Sequence, residues 1–361
     1  MRLSGLRNVA LLFLAGLAGG TWAQAPGRNN AITDVPGIAV GHHTGSDTGA
    51  TVVLAGGPSG QGVPAGVVMP GGSPATRDTD LLRPDNRNEA VNAIVLAGGS
   101  IYGLATSSGV MRCLEERGLG VSVPGGIVPI VPTAVSFDRA ACGAPPSSRP
   151  DLAAGQHACQ AAAGGAVAQG NVGAGTGAVS GGVKGGIGSA SVVLPSGIIV
   201  GAIVSVNSEG AAYDGNGRLH AASLGLGQEF RALTRGSGHR HRLPRSLPGG
   251  PLRSGTNAVI ATNVQLTKSQ ATQIAHMAGG GIARAISPAH TAGDGDTVFA
   301  LGTARISMSG LGDESEVVTQ IGTAAANVVS RAIAHALLAA RSTPCQRSYC
   351  DIFPAACGNR R

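Results

Sequence analysis

Gly255-Thr256-Asn257-Ala258-Val259-Ile260-Ala261-Thr262 decides how this chain is read. From Ala258 onward the run is short, apolar and β-branched, the pattern of a strand buried on both faces. Just before it the composition is different. Residues 231–253 carry six arginines among Gly, Pro and Ser, as a long surface loop does. The bland reading of the junction is a loop entering a strand. The sharper reading is chemical. A hydroxyl residue after Gly, at the end of a disposable loop and the start of a core strand, is what a self-cleaving hydrolase needs. Cleavage before Thr256 would free an α-amine beside its own hydroxyl, and an amine of ordinary pKa near ~8 can serve as base for that nucleophile.

Around this junction lies a chain of 361 residues, 43% hydrophobic, long enough for a large core. Gly is abundant at 59 residues, and aromatics are 2%. The glycines follow apolar runs, as in Val95-Leu96-Ala97-Gly98-Gly99, and have no collagen period, so they point to tight turns and close backbone packing. The net charge of +7 sits largely in the N-terminal segment, the arginine-rich loop and Arg360-Arg361. With so few stacking aromatics, this distribution argues against a nucleic-acid partner.

Residues 1–23 have the form of a secretory signal. Arg2 and Arg7 make the basic region, Val9 to Leu17 the apolar core, and Thr21-Trp22-Ala23 or Ala23-Gln24-Ala25 a small-residue cleavage site, with Pro26 after Ala25 favouring the cut after Ala23. The expectation is a periplasmic or secreted protein with no membrane span. Export would permit disulfides among the six cysteines. Cys345, Cys350 and Cys357 cluster in a tail (residues 343–361) suited to one bridge. Cys142 and Cys159 flank a Pro-rich loop and would suit another, and Cys113 reads as a buried helix residue.

Apolar runs separated by Gly/Pro turns predict strands at 38–41, 50–54, 66–69, 91–96, 189–194, 198–206, 258–262 and 298–301. Helical spacing predicts a helix opened by Ser100 and closed at Gly118, an Ala-rich one over 153–163, and clear ones over 267–285 and 316–340. Strands in blocks and helices in blocks indicate a layered α+β sandwich.

Several residues carry possible chemistry. Asp294-Gly295-Asp296 precedes a core strand, so one carboxylate would face a nucleophile while the other orients it; an ordinary acidic turn or a Ca²⁺-type carboxylate pair would have the same spelling. Lys184, in Gly181-Gly182-Val183-Lys184-Gly185-Gly186, is a single cation in a bed of glycines, suited to a substrate carbonyl or, equally, to solvent. Asn207 ends an apolar strand, where its amide would reach an oxyanion or simply form a turn. Gly173-Ala174-Gly175-Thr176-Gly177 leads into more Gly rather than a helix and is not a dinucleotide fingerprint.

Taken in order, these segments resemble one family. Ile32-Thr33-Asp34-Val35-Pro36-Gly37-Ile38 with Val40-Gly41-His42, Thr76-Arg77-Asp78-Thr79-Asp80, Leu96 to Leu104, Gly170 to Gly177, Lys184-Gly185-Gly186-Ile187-Gly188, Ala261-Thr262-Asn263, and His290-Thr291 with Asp294-Gly295-Asp296-Thr297 are similar to the DmpA-like aminopeptidases. That family includes L-aminopeptidase/D-esterase/amidases, β-aminopeptidases and nylon-oligomer hydrolases. The resemblance covers about Ile32 to Ala340 and implies one domain over 32–342, with an α part to about 255 and a β part from 256.

The resemblance implies a four-layer αββα sandwich that cuts itself, exposes a Ser or Thr nucleophile and assembles as oligomers of αβ units. It implies no metal or organic cofactor, and small peptides or amides as substrates. Carried over by position, Thr256 would be the nucleophile and Gly255/Thr256 the cut. Asp296 and Asp294 would be the acidic pair, and Lys184 and Asn207 the oxyanion groups. Phe137 falls where some members place a Tyr. The chain departs from the family at the nucleophile itself. Relatives of the Thr type read Gly-x-Asn-Thr-Thr-Ile and cut after Asn. Here either Thr256 takes the second Thr position with Gly255 on the nucleophile, or Thr-Thr-Ile is absent after Asn257. The alternative function is therefore an uncleaved, inactive member with a binding or structural role.

Overall fold

The computed structural model describes residues 24–57, 62–138, 148–234 and 254–357. Residues 1–23, read as a secretory signal, and nearly all of the arginine-rich loop lie outside them. The strands of the first half are β1 Ile38–Thr44, β2 Gly49–Ala55, β3 Ala65–Val68, β4 Ala75–Arg77, β5 Ala93–Ala97, β6 Val121–Val123, β7 Gly126–Val128 and β8 Thr133–Val135. Those of the second half are β9 Val179–Ser180, β10 Val183–Lys184, β11 Gly186–Val193, β12 Ile199–Val206, β13 Asn257–Val264 and β14 Thr297–Ile306. Four longer helices are interspersed: α1 Thr106–Glu116, α2 Leu152–Gln160, α3 Lys268–Ala285 and α4 Glu314–Ala339.

Among the described residues, two five-stranded sheets carry the fold, in the orders β1-β2-β5-β8-β4 and β11-β12-β13-β14-β3. Strand alternation assigns each face. In β13, Val259 and Ala261 join Ile94, Leu96 and Phe299 in a core between the sheets, while Ala258 and Ile260 turn to the α3 and α4 side. On the outer face of the first sheet, Val52, Val95 and Ala97 pack with Val110 and Leu114 of α1 and Ala158 of α2. Three cores between four layers make the αββα sandwich. Each large apolar side chain fully buried contributes on the order of 1.5–3 kcal/mol, so the layers are held mainly by these faces.

The central sheet interleaves the two halves of the sequence. β13 and β14 follow the arginine-rich loop, yet they lie between β12 and β3, which precede it. Strand β3 also leaves its chain neighbours and pairs antiparallel with β14, Val68 opposite Val298.

Helix ends follow local chemistry. Thr267 caps α3 in a capping box with Gln270, and the Asp313 side chain accepts the Glu316 amide at the start of α4. The expected cap at Ser100 is not formed. Ser100 has φ 60° and opens a 3-10 segment, Ser100–Ala105, so α1 begins only at Thr106. The cause is a buried carboxylate: Asp138 accepts the Gly99 amide at 2.7 Å and fixes the turn. Helices α1 and α2 touch backbone to backbone at Gly109 and Gly155, where any Cβ would collide with the facing helix. A Cys113–Cys159 disulfide joins them, so Cys159 does not pair with Cys142.

By length and composition α4 could cross a membrane, although most of it is buried inside the fold. The segment after residue 342 is not a mere tail. Tyr349 and Phe353 are buried in the main core, and Cys350–Cys357 closes a short loop there.

Candidate active site

β13 and β14 are parallel, with Asn257 opposite Thr297. Their ladder continues before both strands begin. Ser254 bridges Asp294, the Gly295 amide donates to the Ser254 carbonyl at 2.8 Å, and the Thr297 amide to the Thr256 carbonyl at 3.3 Å. Ser254-Gly255-Thr256 therefore lies alongside Asp294-Gly295-Asp296. Glycine faces glycine at the centre, where a Cβ on Gly255 would stand 3.1 Å from the Gly295 backbone.

The flanking carboxylates divide the work. Asp296 Oδ1 accepts the Thr256 amide at 2.6 Å, and Asp296 Oδ2 meets His290 Nδ1 at 2.7 Å and the His290 amide at 3.2 Å. That ring contact raises the His290 pKa, against an opposing effect of burial. Asp294 accepts the Ser254 hydroxyl, the Thr291 amide at 3.0 Å and the Glu209 amide at 3.3 Å. Both aspartates are buried.

Gly255 is held from the other side. Its amide donates to the Asn207 carbonyl at 2.6 Å, and its own carbonyl accepts the Ser136 hydroxyl at 2.9 Å. Ser136 Oγ in turn accepts Asn257 Nδ2 at 3.0 Å. The Gly255–Thr256 peptide thus has a donor on its carbonyl and a carboxylate on its nitrogen. Thr256 Oγ1 is fully buried and makes no hydrogen bond.

Neither Lys184 nor the Asn207 side chain donates to this peptide. Lys184 Nζ gives its three protons to the carbonyls of Gly175, Ala178 and Gly185, at 2.8, 2.9 and 2.8 Å. Burial lowers its pKa to about 7, opposed by the charge of Asp138. The ammonium gathers the Gly-rich run, and the Val179 amide then donates to Asn207 Oδ1 at 2.9 Å. Asn207 Nδ2 is used on the Phe137 carbonyl at 3.1 Å. Sequence reasoning gave no role to Ser136, Asn257 or His290. His290 stood in a quoted motif, and its spacing from Asp296 was the available signal. Ser136 had none, being a single Ser at the end of a short strand.

Comparisons with known proteins agree over most of the chain. A sequence profile described as peptidase family S58 matches residues 30–349. An uncharacterized aminopeptidase of Mycobacterium leprae (strain TN) is 41% identical over 364 residues, covering 91% of this chain and 96% of the relative. A 6-aminohexanoate-oligomer endohydrolase of Kocuria sp. (strain KY2) is 29% identical over 338 residues, 87% of each chain. Among solved structures, a Burkholderia sp. β-aminopeptidase superposes with TM-score 0.69 at 24% identity, over 92% of this chain and 94% of that one. The L-aminopeptidase D-Ala-esterase/amidase of Ochrobactrum anthropi, a variant of the Ntn hydrolase fold, gives 0.67 at 22% identity, over 90% and 91%. These two likenesses bear on the fold.

Proposed function

The chain belongs to peptidase family S58 and is a hydrolase of peptide and amide bonds of the N-terminal-nucleophile aminopeptidase type, and we propose that it matures by cutting its own Gly255–Thr256 bond. Thr256 Oγ1 bonds to the Gly255 carbonyl carbon, the carbon–nitrogen bond breaks, and the hydroxyl proton passes to the nitrogen. Water then hydrolyses the resulting ester, leaving a Gly255 carboxylate, a restored hydroxyl and a free Thr256 amine. In turnover the same oxygen attacks a substrate amide, with the α-amine as base and then as acid to the leaving amine.

The observation that carries this reading is the grip on that one peptide: Asp296 on its nitrogen at 2.6 Å, Ser136 on its carbonyl at 2.9 Å, and an unpartnered buried hydroxyl on the next atom set. Asp296 orients the nitrogen before and after the cut. Asp294 holds Ser254 and the turn that carries Asp296. Asn207 fixes Gly255 through its main chain, and Lys184 fixes the Gly-rich run beside Asn207. Short peptides, amino-acid amides and small oligoamides are the substrates we assign. Export after Ala23 fits the Cys113–Cys159 and Cys350–Cys357 bridges, and N-terminal sequencing of the secreted protein tests it. Assembly of αβ units is tested by light scattering.

Intact mass of the purified protein tests the central claim. Two fragments meeting at Gly255/Thr256, lost together with amide hydrolysis in Thr256→Ala, are expected. A single full-length chain without turnover would mean an inactive member.

A further inference from the structure

We propose that Ser136 is a catalytic residue, its hydroxyl stabilising the oxyanion at Gly255 during self-cleavage and then the acyl oxygen of each substrate. This rests on Gly255–Thr256 being the bond that is cut. Ser136 Oγ lies 2.9 Å from the Gly255 oxygen, 119 residues away in sequence, and the residue is 1% exposed. Its backbone is fixed on both sides: its amide donates to the Ala97 carbonyl at 2.9 Å, and its carbonyl accepts the Ser100 amide at 3.0 Å. A donor held this way needs no reorganisation when negative charge grows on the carbonyl, which is what makes oxyanion stabilisation effective.

The direction of the Ser136 proton follows from its neighbours. The hydroxyl has one proton and two partners. The Gly255 carbonyl can only accept, and Asn257 offers Nδ2 at 3.0 Å. The arrangement that satisfies both runs Asn257 Nδ2 to Ser136 Oγ to Gly255 oxygen, a chain of donors that polarise one another toward the reacting carbonyl. The competing donors are engaged elsewhere. Lys184 spends its three protons on main-chain carbonyls, and Asn207 Nδ2 serves Phe137. After the cut, the substrate acyl group attacked by Thr256 Oγ1 takes the place that Gly255 vacates, so the same hydroxyl meets its oxygen.

The test follows fragment formation in Ser136→Ala, Ser136→Cys and Ser136→Thr beside wild type and Thr256→Ala, with thermal midpoints for each. Losing one such donor slows a reaction on the order of 10²- to 10³-fold. Ser136→Ala and Ser136→Cys are expected to cut that much more slowly, with Ser136→Thr recovering most of the rate. Once matured by long incubation, Ser136→Ala should lose kcat with little change in KM. Ser136→Ala cutting at the wild-type rate while Thr256→Ala stays whole overturns the role of Ser136 and leaves the cleavage site standing. If Ser136→Ala does not fold, Ser136→Cys at wild-type speed overturns it equally. A wild-type chain that never cuts there, or a Thr256→Ala chain that does, overturns both.

Discussion

Asp296 Oδ1 accepts the amide proton of Thr256 at 2.6 Å. A hydrogen bond from a neutral N–H to a carboxylate is shorter and about twice as strong as one between neutral groups. In the proposed self-cleavage this is the nitrogen that must gain a proton as the Gly255–Thr256 bond breaks. Asp296→Asn keeps a carbonyl acceptor in place but removes the charge, and with it the acidic partner of His290. Fragment formation should slow by on the order of 10²-fold, the scale of losing one positioned electrostatic contact at the reacting group. Mass spectrometry over hours decides this, and cutting at the wild-type rate would show that the carboxylate charge is not needed.

The buried, unpartnered Thr256 hydroxyl predicts a conflict between stability and activity. A buried polar group without a partner costs about 1–3 kcal/mol. Thr256→Val keeps nearly the same shape, loses no hydrogen bond and removes that cost. It should stay as one chain, hydrolyse nothing, and unfold at higher denaturant than the freshly made uncut wild-type chain, by about 1 kcal/mol. A Val variant less stable than that precursor would mean that the hydroxyl has a partner in solution.

The sequence made some of this arrangement legible and hid the rest. β13 was readable because an apolar β-branched run has few alternatives, and α3 because Thr267 and Gln270 spell its start. The place of β3 beside β14 was not, because register across more than two hundred residues leaves no local mark. Lys184 shows a subtler limit. A cation among glycines reads as open to a ligand, yet the glycine run turns its own carbonyls inward and takes all three protons. The Asp pair was visible as a motif, but its alignment with Ser254 and Thr256 follows from the parallel ladder. Ser136 reaches Gly255 only because β8 ends beside β5 in the opposite sheet.

His290 gives the site a pH dependence whose sign can be worked out. Its hydrogen bond to Asp296 raises the folded pKa above the ordinary 6.5, with burial opposing. A raised histidine contributes stability that is full below the unfolded pKa and fades as pH rises through the folded one. In a Thr256→Val background, which remains one chain, the stability lost in His290→Gln should therefore be larger at about pH 5.5 than at about pH 9. Denaturant midpoints at the two pH values measure it, and a loss that grows toward alkaline pH would contradict the assigned pair.

Once the proposed cut is made, contacts across it must hold the two fragments together. Glu229 lies just before the arginine-rich loop, and Arg331 and His335 lie on α4, on the other side of the proposed cut. Arg331 Nε and Nη2 meet the Glu229 carboxylate at 2.7 and 2.9 Å, His335 Nε2 meets it at 2.5 Å, and Arg331 Nη2 also donates to Asn30 Oδ1 at 2.8 Å. The arginine and glutamate side chains are 1% and 8% exposed. Burial alone would raise the Glu229 pKa, but His335 and Arg331 outweigh it and hold the carboxyl well below its usual range. Stability from this group is therefore present above the ordinary value of 4.5 and is lost as pH falls through the folded one. Breaking a buried pair by removing one charge costs about 3–5 kcal/mol. Glu229→Gln should lower stability by roughly that amount near neutral pH. The fragments should still co-purify, because β13 and β14 remain between β12 and β3. Gel filtration of the matured variant in rising urea would then show separation at lower urea than wild type. Separation at the same urea concentration would mean that the strand pairing, not this clamp, sets the cohesion of the cut protein.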